Sequence, residues 1–334
     1  MGPPADSLRA RTPQKPRGAV RGAGVHVGLI LPMGDEQEPG VPRGYAGIRD
    51  LAVRAEAQGL DSIWVYDHLV GDSTDDSAGS PWEAWTVLTA LAEATSTVRL
   101  GALVLCTAFR PPGVLARMAD TLQEVSGGRL VLGLGAGWHE PEFQAFDLPF
   151  DHRVGRFDEA LQIITTMLRT GRATIAGEYH RVQDAPVRDR PDRPVPPVLV
   201  AGVRPRMLGL AAQYADLWNL AWFGLPGDRF RQANAALDQA CRDVGRDPAT
   251  LARTAGVQVA APTAANAEEK PERLIRGDVD EVAAAFAAWE AEGVSELICS
   301  PDPADPDTVT LIADACARYR ENAGRTTDTS PRVR

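Results

Sequence analysis

Gly128-Arg-Leu-Val-Leu-Gly-Leu-Gly-Ala-Gly-Trp-His-Glu-Pro-Glu-Phe143 is the stretch whose reading decides the fold. The apolar run from Leu130 to Leu134 reads as a buried strand. It ends in alternating glycines, Gly133, Gly135 and Gly137, followed by Trp138. Glycine has no Cβ, so these positions predict close approach of the backbone to a flat ligand. Working outward, short apolar strands are expected at 25–31, 61–65, 98–105, 129–134, 198–201, 216–221, 253–260 and 296–300. Amphipathic helices are expected near 44–59, 81–95, 112–126, 153–170, 204–214, 228–244, 278–292 and 305–321. Eight strand–helix pairs predict an α/β fold, a (β/α)8 TIM barrel, as a single domain over 25–322 with insertions in the βα loops. A doubly wound sheet is the alternative, which the near-regular spacing disfavours. Two insertions stand out. The long stretch from Gly135 to His152 follows the fourth strand, where a barrel builds its site. Residues 171–195 read as a hairpin and linker at the bottom of the barrel, with a structural role.

The chain has 334 residues, 44% hydrophobic and 24% charged, enough apolar material for one large core. A net charge of −10 argues against nucleic acid or an anionic membrane as partner. No run approaches the roughly 18 apolar residues of a membrane helix. Cys106, Cys241, Cys299 and Cys316 are far apart and form no Cys-x-x-Cys pair, which suits a reduced, cytoplasmic protein. Residues 1–24 carry five basic side chains against Asp6, with four prolines, and read as a disordered basic tail. Residues 323–334 read as a second tail.

The residues just past the strand ends collect the chemistry. The second strand supplies Tyr66, Asp67 and His68, and the next helix Trp82, Glu83 and Trp85. The third supplies Cys106, Thr107, Phe109 and Arg110; the fourth, Trp138, His139 and Glu140; the fifth, Gly202, Val203 and Arg204; the sixth, Trp218, Asn219 and Trp222. Most of the seven tryptophans are thus expected on one rim, walling a pocket for a planar ring. His68 suits a general acid or base, because an imidazole titrates near neutrality. On spacing alone, a structural histidine bonded by Asp67 or backbone is the simpler reading. Trp138 is read either as stacking on a cofactor or as covering the barrel mouth. The five scattered histidines have no metal-ligand spacing, so no metal is expected. The glycines at 133 and 135 do not make a dinucleotide fingerprint, because Trp138 stands where the third glycine belongs. Gly202-Val203-Arg204-Pro205-Arg206 is the better anion candidate: a glycine turn entering a helix beside arginines. An ordinary strand-to-helix turn explains it equally well.

At these residues the chain resembles the luciferase-like monooxygenase superfamily, most of all its branch dependent on deazaflavin coenzyme F420. The resemblance rests on Gly59-Leu-Asp-Ser-Ile-Trp-Val-Tyr-Asp-His-Leu69, Trp82-Glu-Ala-Trp85, Val98-Arg-Leu-Gly-Ala-Leu-Val-Leu105 with Phe109-Arg-Pro111, and Ser126 to Trp138. Glu142-Phe-x-Ala-Phe146, Pro197 to Gly202, and Ala215-Asp-Leu-Trp-Asn219 complete it. It implies a barrel, commonly dimeric, with the cofactor ring against a bulge at Leu103 and Val104 that often contains a non-proline cis peptide. It further implies that Ala136 and Gly137 border the ring, that Gly202 and Val203 hold the phosphate, and that Asp67 lies near the cofactor with His68 as acid or base. Trp85, Trp138, His139 and Trp222 are then the expected substrate pocket. The sugar-phosphate dehydrogenases of this superfamily carry a tryptophan four residues past that histidine, where this chain has Asp72. Their glutamate past the first strand is unmatched in Pro32-Met33-Gly34. A different substrate is therefore expected.

The implied function is hydride transfer between coenzyme F420 and a small organic substrate. The alternative is a two-component monooxygenase that uses reduced FMN and O2 and needs a flavin reductase as partner. A third class, a non-catalytic barrel scaffold or flavin-binding protein, predicts that replacing His68 or Trp138 changes nothing.

Overall fold

A computed structural model of the chain describes residues 24–34, 44–71, 80–188, 194–262 and 273–327. The basic tail expected over 1–24 lies almost wholly outside them, as does Asp72. Eight mutually parallel strands close into a barrel. They are β1 (His26–Ile30), β2 (Ser62–Val65), β3 (Arg99–Ala102) with its continuation β4 (Leu105–Cys106), β5 (Leu130–Gly135), β8 (Val198–Ala201), β9 (Leu217–Phe223), β10 (Ala252–Ala260) and β12 (Val294–Asp302). Closure is made where β12 pairs with β1, from His26 opposite Glu296 to Leu29 opposite Cys299. Two strands lie outside the barrel wall as a hairpin, β6 (Arg172–Ala176) and β7 (Arg181–Pro186), and β11 (Ile275–Arg276) adds a short edge to β10.

Helices α1 (Gly44–Ala57), α2 (Ala84–Ala94), α3 (Pro112–Val125), α5 (Arg153–Thr170), α6 (Pro205–Tyr214), α7 (Asp228–Asp243), α8 (Val279–Ala291) and α9 (Pro306–Thr327) return the chain between strands. Their apolar stripes and the outward faces of the strands form one large core. Local signals set their limits. Glu83 caps α2 by accepting from the N–H groups of Trp85 and Thr86, and α8 starts in a capping box between Asp278 and Glu281. Gly171, at φ 87°, ends α5. α9 runs to Thr327, past the boundary at 323 read from the sequence.

A second, smaller cluster fills the lumen: Ile30, Trp64, Val131, Leu199, Leu217 and Ile298. The Trp64 indole N–H donates to Ser62 Oγ at 2.8 Å, and Ser62 Oγ donates to Glu296 at 2.5 Å. Arg99 lies 3.1 Å from the other Glu296 oxygen. Ser62, Arg99 and Glu296 stand near the starts of their strands, so this polar set forms the barrel floor.

The third strand departs from the single run expected over 98–105. Gly101 stands opposite Val131 and Leu105 opposite Leu134, so four steps on one strand meet three on the other. That extra residue is a bulge. The Leu103–Val104 peptide within it is cis, and both side chains pack on the lumen cluster. This bulge corrects the reading of the alternating glycines. A Cβ on Gly133 would lie 1.9 Å from Ala102 O, and one on Gly135 2.6 Å from Val104 Cγ2. These glycines make room for the neighbouring strand, not for a ligand.

The hairpin also differs from its expected position. It leaves the bottom of the barrel after α5 but runs back along that helix. Glu159 accepts the N–H groups of Glu178, Tyr179 and His180 at 2.7–2.9 Å, and Tyr179 stacks on His152. The tip therefore sits beside the first turns of α5, at the mouth. An αβ excursion long enough to span one helix reaches the far end of the barrel, a distance that composition does not reveal.

Candidate active site at the barrel mouth

Asp67 and His68, consecutive in the chain after β2, have different surroundings. The Asp67 carboxylate is buried. It accepts the Cys106 N–H at 2.9 Å and a two-pronged pair of bonds from Arg110 at 2.7 and 3.1 Å. Arg110 also bonds Glu83, the cap of α2. Burial pushes the Asp67 pKa upward, against the pull of the Arg110 guanidinium and the Cys106 N–H. Both Asp67 oxygens are thus engaged by protein donors. The carboxylate ties the end of β2 to β4 and the turn after it, at the position that the resemblance places near the cofactor. Neighbouring Cys106 is pushed up to about 12 by its own burial and stays a thiol at neutral pH.

His68 is half-buried, and its Nδ1 lies 3.1 Å from Glu142 Oε1. Glu142 is carried by α4 (Glu140–Ala145), a short helix inside the stretch expected to be a loop from Gly135 to His152. Pro141 in its first turn and three aromatic rings hold that helix down. Phe143, buried, packs on Phe109 and Phe150 with centroids 6.0 and 5.0 Å apart. Trp138 meets the His68 ring edge-on at 5.5 Å, and His139 and Tyr66 stand 6.1 and 6.0 Å away.

The tryptophan rim is thinner than expected. Trp82, Trp138 and Trp222 are exposed, at 42, 60 and 38%, whereas Trp85 is buried in the core and Trp64, Trp218 and Trp289 are fully enclosed. Trp85 is therefore a wall support, because the α2 start turns its ring toward the apolar cluster. Trp218 donates its indole N–H to Gly202 O at 2.8 Å, fixing the loop after β8. Trp222 follows a second non-proline cis peptide, Ala221–Trp222. Met33, in the Pro32-Met33-Gly34 segment, is buried and bonded to the Tyr66 hydroxyl and the Trp82 N–H, and none of the described residues 31–34 carries a carboxylate.

Beside the mouth lies a cavity of about 500 Å³ lined by Phe150, Arg153, Gly155, Tyr179 and Arg206, among others. Arg153 also borders a smaller cavity against Thr107, Ala136 and His180. It donates to Gly137 O at 2.9 Å and stacks on Phe150. The first turns of α5 and α6 open here, and neither N-cap, His152 nor Arg204, makes a side-chain cap bond. The first intrahelical donors are Arg156 and Leu208, which leaves the Val154, Gly155, Arg206 and Met207 amides without helix acceptors. Gly202 and Val203 are set differently: the Gly202 N–H is spent on Asn219 O at 3.4 Å, and Val203 is exposed. The α6 start and Arg206, which belong to the anion candidate read from the sequence, line the larger cavity together with Arg153 and Tyr179 of the hairpin tip. Arg153 and the hairpin tip were not legible from spacing as lining this cavity. A phosphate-bearing group fits the larger cavity, where uncapped amides and arginines stand together, and Arg153 lines both it and the small cavity at Ala136. Among the described residues no cluster of potential metal ligands occurs.

A luciferase-like monooxygenase family profile matches residues 25–321. The chain belongs to that family. Over 164 residues it is 37% identical to an F420-dependent glucose-6-phosphate dehydrogenase of Amycolatopsis mediterranei, covering 47% of this chain and 48% of that protein. Over 202 residues it is 32% identical to the pyrimidine monooxygenase RutA of Methylobacterium radiotolerans, covering 57% and 52%. The chain thus spans about half the length of the curated relatives it matches. An F420-dependent secondary alcohol dehydrogenase, solved with an F420-acetone adduct, superposes with a TM-score of 0.74 over 89% of this chain and 99% of that one, at 19% identity. At that identity the likeness shows the barrel fold.

Proposed function

We propose that this chain is an oxidoreductase that moves a hydride between coenzyme F420 and a small organic substrate. The observation that carries the reading is the His68 imidazole, held by Glu142 at the barrel mouth beside the Leu103–Val104 bulge. When bound, the deazaflavin supplies the hydride chemistry. The chain supplies the rest. Leu103, Val104, Ala136 and Gly137 border the ring position. Arg153, Arg206 and the open amides of α5 and α6 face its phosphate. His68 exchanges a proton with the reactant, and Trp138, His139 and Trp222 line the substrate side. Asp67 acts through Arg110 and the Cys106 N–H by tying together the strand ends on which these residues stand. Sugar phosphates are not the proposed substrates, because Asp72 stands where the sugar-phosphate dehydrogenases of the family that the chain resembles carry a tryptophan.

A titration of purified protein with oxidised F420 and, separately, with FMN, followed by fluorescence, tests the proposal. Selective F420 binding supports it. Selective FMN binding moves the reading to an FMNH2- and O2-dependent monooxygenase with a separate flavin reductase, which the likeness to RutA favours. His68→Gln is expected to lower turnover by about 10²- to 10⁴-fold with cofactor affinity retained. Unchanged turnover would remove His68 from the mechanism. The proposal includes a cytoplasmic homodimer. Among the described residues no helix is long and apolar enough to cross a membrane, and sedimentation reads the oligomeric state.

A further inference from the structure

We infer that Glu142 is the positioning residue of this site: it holds His68 as the Nδ1–H tautomer and leaves Nε2 as the nitrogen that exchanges the proton. The inference deepens the proposed function and rests on His68 having an acid–base role there. An ionised carboxylate only accepts hydrogen bonds, so the 3.1 Å contact between Nδ1 and Glu142 Oε1 requires the proton on Nδ1. In a neutral imidazole the lone pair then lies on Nε2.

The same Glu142 oxygen accepts the N–H groups of Leu69 at 2.5 Å and Val70 at 3.3 Å. Three donors from the turn after β2 therefore converge on one carboxylate atom, on a side chain only 3% exposed. That convergence fixes the ring against rotation as well as setting its tautomer. Trp138 and His139 confine it from the β5 side and Tyr66 from the β2 side. A buried carboxylate used only to tie α4 to the turn would be satisfied by the two amides. The imidazole bond is the additional feature, and it places the site's acid–base group under the control of a residue 74 positions away.

Ring-nitrogen NMR on full-length protein labelled with 15N-histidine tests this, at a pH well above the range where a free imidazole titrates. The chain has five histidines, and His68→Gln assigns the signal. The expected result is a single Nδ1–H tautomer for His68 in the wild type. It should be lost in Glu142→Leu and restored in Glu142→Gln, whose amide oxygen can accept the same bond. A wild-type Nε2–H tautomer overturns the inference, and needs no variant to fold. So does a Glu142→Leu protein that keeps the wild-type tautomer, or a Glu142→Gln protein that does not recover it. The measurement uses no cofactor. Failure to bind F420 would therefore sink the proposed function and leave this result standing, and the reverse holds equally.

Discussion

At the residue scale, the mouth depends on charges that neutralise each other before any ligand arrives. Arg110 is mostly buried between Asp67 and Glu83. Replacing it by methionine keeps the apolar stem and strands two carboxylates, one fully enclosed. A loss of about 3–5 kcal/mol is expected, the usual cost of breaking a buried pair, read from the urea midpoint; a loss below about 1 kcal/mol would contradict the pairing. The residues needed for this cluster were visible in the sequence as rim residues. Their partnership was not, because Asp67 and Arg110 are 43 positions apart and meet only through closure of β2 against the bulged strand. The same limit hid Glu142. Its place in Glu142-Phe-x-Ala-Phe146 was readable, but its acceptor role depends on where α4 lands.

At the element scale, the strand–helix alternation was legible almost throughout, because apolar runs and capping residues are local signals. The bulge in the third strand, the helix inside the β5–α5 stretch and the direction of the hairpin were not, because each is settled by packing against a distant element. The glycines of β5 allow a test of that packing. Gly133→Ala puts a methyl carbon into the Ala102 carbonyl, so the two strands must separate. We expect a loss of about 1–3 kcal/mol, as for overpacked cores. Gly209 lies inside α6 with open space around its Cβ position. Gly209→Ala is expected to stabilise by about 0.5–1 kcal/mol through higher helix propensity. Thermal melts of the two variants should move in opposite directions; equal shifts would sink the argument.

At the scale of the whole molecule, the seam that closes the barrel carries a pH signature. Asp61, just before β2, accepts the Val27 N–H at 2.7 Å and an Arg320 bond at 2.6 Å, and faces His26. It thereby joins β1, β2 and α9. Burial alone would raise its pKa, but the bonds from His26 and Val27 and the Arg320 charge hold it below the ordinary aspartate value. A lowered folded pKa stabilises the barrel above about pH 4, the unfolded value, and the benefit fades as pH falls through the folded value. Asp61→Asn should therefore cost about 1–3 kcal/mol at neutral pH, as expected for bonds to a charged group. The gap from wild type should shrink progressively below about pH 4; a gap independent of pH would show that the charge is idle. The distribution of indoles has another consequence. Trp64, Trp218 and Trp289 are sealed and Trp85 is buried, while Trp82, Trp138 and Trp222 are exposed, Trp138 against the His68 ring. Their emission should therefore separate into a blue, unquenchable part and a red part open to acrylamide. A ligand that fills the mouth and does not absorb the indole emission would shift the red part and shield it from acrylamide, so the protein carries its own optical gauge of substrate occupancy, needing no dye.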